Sequence, residues 1–185
     1  MDSISKREKL AYIVIILLVF VIISSAYREK ITNEHHVTSH LTKQTNEALF
    51  SIKRLCHNLR NPNWDDSNFR EKCYSTLESF YYEVNEAYKN ACKNKEYISE
   101  TVFDTEIKLH IIACHIWDTY GSSFDELKSG NADTVRQKAM LLENEISEAN
   151  FTGFLVDYSG LEEDSWHILN KELTNYIGRN MNNLK

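Results

Sequence analysis

An all-α protein is expected from this chain: a single N-terminal transmembrane helix followed by a four- to five-helix bundle. Three observations lead there. Residues 10–27 carry no charge, and beyond them apolar residues recur at three- and four-residue steps. The 185 residues also include one proline and five glycines, too few turn-formers for a sheet-rich fold. The resulting division is a basic flank over 1–9, the span over 10–27, a polar neck over 28–40 and a helical domain over 41–185.

The uncharged run reads Leu-Ala-Tyr-Ile-Val-Ile-Ile-Leu-Leu-Val-Phe-Val-Ile-Ile-Ser-Ser-Ala-Tyr. About 18 helical residues at ~1.5 Å each cover ~27 Å, close to the hydrocarbon thickness of a bilayer. Helix is the expected form because lipid offers no partners for backbone amides. Tyr12 and Tyr27 bracket the run, at depths where aromatic rings favour the interface. The lipid bilayer is therefore the expected partner of residues 10–27, in a single-pass protein of a cell inner membrane. A buried core helix is the bland alternative, and the lack of any polar face argues against it. A sharper one is a cleaved signal peptide: Lys6, Arg7 and Lys9 form a basic start, and Ser24-Ser25-Ala26 permits cleavage at Ala26 to leave a secreted helical domain. Its apolar region is longer than the ~7–15 residues usual there. The side of the membrane stays open. Lys6, Arg7 and Lys9 against Arg28 and Lys30 favour a cytoplasmic N-terminus, while the cysteines favour a reducing compartment for the domain.

Charge narrows the partners further. The chain carries −6 overall; residues 1–27 contribute +1, so the 158 that follow carry −7. An acidic domain without a basic, aromatic-studded stripe repels phosphate backbones, which excludes nucleic acid as a partner.

Within the domain, Leu41, Ala48, Leu49, Ile52, Leu55, Cys56 and Leu59 share one helical face, and this helix can continue the span. It should end near Arg60, because Pro62 disfavours helical geometry before it. Asp65, Asp66 or Ser67 can cap a second helix bearing Phe69, Cys73, Leu77, Phe80, Tyr81, Val84, Tyr88 and Ala91 to about Lys93. Ser99 or Thr101 opens a third, the latter with Asp104 as a capping box. Its expected stripe is Val102, Phe103, Ile107, Ile111, Cys114 and Trp117, widened by Ile112 and Ile116. A turn at 130–133 precedes a fourth helix with Val135, Ala139, Leu142 and Ile146. A less regular stretch holding Phe151, Phe154 and Leu155 leads to a last helix with Trp166, Leu169, Leu173, Tyr176 and Ile177. Stripes at this spacing are core faces far more often than cofactor faces.

The residues that carry chemistry form no constellation. Cys56, Cys73, Cys92 and Cys114 invite disulfides, but helical register separates every pair except Cys56 and Cys73, and buried free thiols are the simpler expectation. His36 with His40, and His110 with Cys114, each supply two ligands on one helix face, short of the three or four zinc needs. Glu163 and His167 make one further pair without a second copy. No nucleophile elbow, phosphate loop or kinase signature is present. No catalytic, cofactor-binding or metal residue is assigned, and a non-enzymatic protein is expected.

Three segments, Leu77-Glu-Ser-Phe-Tyr-Tyr-Glu-Val, Tyr97-Ile-Ser-Glu-Thr-Val-Phe and His115-Ile-Trp-Asp-Thr-Tyr, resemble an uncharacterised family of bacterial proteins with one N-terminal membrane helix and a small helical domain. The likeness covers roughly residues 70–125 and implies no catalytic residue. The functional expectation is a membrane-anchored interaction protein that binds another protein, with Trp64, Tyr74 and Tyr97 as the aromatics to watch. The alternative is a membrane-acting effector or exclusion factor, of the phage-defence or toxin–immunity kind. For that role the span would have to oligomerise without a small-residue face.

Overall fold

The computed structural model describes residues 6–60, 63–121, 132–148 and 160–180. These residues are helical throughout their regular elements, with no strand among them. The first helix, α1 (Lys6–Arg60), takes in 55 residues without a break, about 80 Å at ~1.5 Å per residue. The two ends of α1 have opposite surroundings. Leu10, Phe20 and Ile23 are 64 %, 69 % and 61 % exposed, like every large apolar side chain between them, whereas Leu41, Ala48, Ile52 and Leu55 are wholly buried. The polar neck over 28–40 is thus a stretch of the same helix. Its last residue is Arg60, two before Pro62.

A tight corner returns the chain. Trp64 is buried there, edge-on to Phe69 with ring centroids 5.3 Å apart. Arg70 donates to the Trp64 carbonyl at 2.6 Å. Asp66 caps α2 (Ser67–Lys93) by accepting from the Asn68 amide at 2.9 Å. Cys73, Leu77, Phe80, Val84, Ala87 and Ala91 form its buried face, which packs along α1. A 3₁₀ turn, Lys95–Tyr97, leads to α3 (Glu100–Ile116), capped by Ser99 through the Val102 amide at 3.3 Å. The alternative cap at Thr101 is not used.

The register of α3 departs from the expected stripe. Its buried residues are Val102, Thr105, Glu106, Leu109, Ile112, Ala113 and Ile116. Ile111 is exposed, and Phe103, Ile107 and Cys114 are half-buried. Apolar residues surround nearly the whole helix, so α2 on one side and a later helix on the other decide which face is core. A wide π-turn, Trp117–Gly121, follows. There Gly121 lies against the Trp117 ring, and a β-carbon would come within 3.0 Å of it.

The fourth helix, α4 (Ala132–Glu148), lies by the far end of α1, where Arg60 Nε and Glu143 Oε1 pair at 3.0 Å. Ala139 and Leu142 are buried; the side chains of Val135 and Ile146, and the stretch with Phe151, Phe154 and Leu155, lie outside the described residues. The fifth, α5 (Glu163–Asn180), buries Trp166, Leu169, Leu173 and Tyr176 against α3. Asn170 fastens the pair: its Nδ2 donates to Asp104 Oδ2 and Thr105 Oγ1, each at 3.0 Å, and its Oδ1 accepts from Lys108 at 3.0 Å. Glu163 and Trp166 face Ser99–Val102 while Asn170 faces Asp104–Lys108, so α3 and α5 run in the same direction.

Phe80 is fully buried where α2 meets the core, and Phe50 is 65 % exposed on α1. Chemical denaturation followed by circular dichroism should show Phe80→Ala losing about 3–5 kcal/mol, and Phe50→Ala staying within about 0.5 kcal/mol of the parent.

Candidate functional site

The outer faces of α1 and α2 border a groove of about 760 Å³ whose walls include Asn46, Glu47, Phe50, Arg54 and Glu83. A smaller hollow alongside shares Glu47 and Glu83 and adds Tyr82. Two exposed rings, Phe50 and Tyr82 (64 % exposed), therefore flank a pair of carboxylates. Ser51 Oγ donates to Glu83 Oε2 at 2.8 Å, and burial still pushes the Glu83 carboxyl above its usual range. Asn46 Oδ1 is buried beside this groove without a donor. Exposed aromatics bordered by polar groups are the usual make-up of a protein-binding surface.

These rings are not the ones the sequence singled out. Trp64 is core, Tyr74 is half-buried 6.2 Å from Trp117, and Tyr97 is half-buried in the 3₁₀ turn. Each sits at a corner or helix contact, where periodicity says little about exposure. Phe50 follows Leu49 on a stretch of α1, Leu41 to Leu59, whose other large apolar residues are buried, so an isolated off-stripe phenylalanine was the available signal.

Among the described residues one carboxyl is wholly buried. Glu106 is wholly buried on α3, where its Oε1 accepts from the Thr45 hydroxyl of α1 and its Oε2 has no partner. Burial pushes this acid up to about 7, with the Thr45 bond pulling weakly the other way. An uncompensated buried carboxylate is costly, so the group favours its neutral form.

His110 and Cys114 of α3 lie at the α2–α3 seam. Tyr88 stacks on His110 with centroids 4.2 Å apart, and His110 Nε2 lies 3.7 Å from Cys114 Sγ. Burial, then Lys89, lowers the His110 imidazole. Tyr81 stacks on Trp117 at 5.1 Å. His36 is exposed, while His40 lies 2.9 Å from Asn90 Nδ2 and 3.1 Å from Gln44 Oε1. Among the described residues no three His, Cys, Asp or Glu side chains converge as metal ligands. All four cysteines are free thiols. Cys56 and Cys73 are buried, but Cys114 is half-buried and Cys92 is exposed, unlike the buried set expected. Burial raises Cys56 to about 12 and Cys73 to about 11.

No family model matches the chain, and no curated protein or solved structure matches it either.

Because the Glu106 pKa is raised on folding, its stabilising contribution is full below the unfolded value near 4.5 and is lost as pH climbs through about 7. Glu106→Gln should match the parent at pH 5 and exceed it by about 2 kcal/mol at pH 8 in chemical denaturation of the full chain. Maleimide labelling of the native protein at pH 7.5 should modify Cys92 first. Cys56 and Cys73 should react on the order of a hundredfold more slowly until denaturant is added.

Proposed function

We propose that this is a single-pass membrane protein whose helical bundle is held near the bilayer to bind a protein partner, without enzymatic activity of its own. The observation that carries the reading is α1: its window from Leu10 is long and apolar enough to cross a membrane and none of it is buried, yet the same helix supplies Leu41, Ala48, Ile52 and Leu55 to the core. A soluble core helix of such composition would bury that window. Confinement to a membrane raises the effective concentration of the bundle toward partners in the same plane. The Phe50 and Tyr82 surface supports the choice of a protein partner, since aromatic anchors dominate such interfaces.

In cells expressing the full chain, alkaline carbonate washing should leave it in the membrane pellet at full length, while a chain beginning at residue 28 should move to the supernatant. Release of the unprocessed full chain without detergent would contradict anchoring. Photo-cross-linkers at Phe50 and Tyr82 should give a discrete adduct that one at exposed Lys72 does not.

A further inference from the structure

Three elements meet at the end of the bundle from which the apolar part of α1 projects: α1 around Thr38, the start of α3 at Ser99–Val102, and the start of α5 at Glu163–His167. Between them is a cavity of about 250 Å³, room for roughly eight waters at ~30 Å³ each. Trp166 forms part of its wall, is 2 % exposed, and has a buried indole N–H with no acceptor. A buried donor left unpaired costs free energy that a ligand acceptor would recover.

The other polar side chains around the cavity are the Thr38, Ser99 and Thr101 hydroxyls, the His167 imidazole and the Glu163 carboxylate. At the start of α3 the Val102 and Phe103 amides are taken by Ser99, which leaves the first-turn amides of Glu100 and Thr101 at the positive end of the helix dipole. The cavity shares Ser99, Thr101 and His167 with a neighbouring one of about 850 Å³, whose walls add Lys95, Lys171, Ile98 and Phe103. Asp104, also there, is spent: Lys108 and then Asn170 hold its carboxyl below the usual range. Glu163 on the smaller wall and Glu100 on the larger oppose an anion, and both are exposed in first helical turns.

We propose that this cavity binds a small carboxylic acid, its carboxylate accepting from the Trp166 indole, the Thr101 hydroxyl and the α3 first turn, with Lys95 and Lys171 offsetting the two glutamates. The apolar wall of Ile98 and Phe103 receives the rest of the ligand. The site is formed by the bundle itself and does not depend on the membrane reading.

The test uses the full chain in detergent with ¹⁵N-labelled tryptophan, its three indole signals assigned by Trp64→Phe, Trp117→Phe and Trp166→Phe. Titration with sodium acetate should move the Trp166 indole proton downfield and saturate, while sodium chloride at equal ionic strength and acetamide should leave it in place. Thr101→Val should weaken the acetate midpoint about tenfold, and Glu163→Gln should tighten it a few-fold. An acetate titration without saturable movement at Trp166 overturns the assignment. So does the same movement with chloride or acetamide, or an unchanged midpoint in Thr101→Val.

Discussion

The continuity of α1 governs everything else in this molecule. One helix is exposed and apolar over residues 10–23 and packed from Leu41 onward, with a mainly polar stretch of helix between. Apolar surface of that extent left open to water is strongly unfavourable; in the membrane reading proposed above, the exposed half sits in lipid and the buried half fixes the bundle to it. A hinge between them would let the bundle tumble; an unbroken helix sets its height and orientation instead. The Lys30–Glu34 pair, 3.7 Å apart at i,i+4, adds modest local support to the neck.

Packing then proceeds outward from α1. α2 lies on α1, α3 on α2, and α5 on α3. Aromatic stacking of Tyr81 on Trp117 and Tyr88 on His110 fixes the α2–α3 seam, and the Asn170 network fixes α3 to α5. The polar link from α1 across to α3 is Thr45 to Glu106. A neutral acid there makes one bond at little cost, and an ionised one strains the contact between the first and third helices. The stability of the bundle is therefore tied to pH in part through a buried side chain far from the apolar segment.

Much of this was legible in the residues. The boundaries of α1 at Arg60 and α2 at Lys93 follow from Pro62 and from a clean 3.6-residue period, while short polar side chains narrow the caps to 65–67 and to Ser99 or Thr101, of which the fold uses Asp66 and Ser99. The face of α3 was not legible. Its apolar residues occupy nearly every position around the helix, so intrahelical pattern leaves the orientation to neighbours that are distant in sequence. Glu106 was hidden for the same reason, as a charged residue beside Ile107 reads as solvent-facing until tertiary contacts decide otherwise. Trp64 and Cys92 show the limit at element ends: the first lies in a corner and is buried, the second in the last turn of α2 and is exposed. The cavity beside Trp166 depends on three segments of α1, α3 and α5 that no sequence spacing brings together.

The rigid continuity of α1 is tested most directly by a distance across the neck. Spin labels attached through non-cysteine chemistry at positions 30 and 53 of the full chain, in a bilayer mimic, report it by pulsed electron resonance. A continuous helix predicts one narrow distribution near ~35 Å, from 23 residues at ~1.5 Å each, before label length is added. A broad distribution of shorter distances, as a coiled neck would give, would contradict the account.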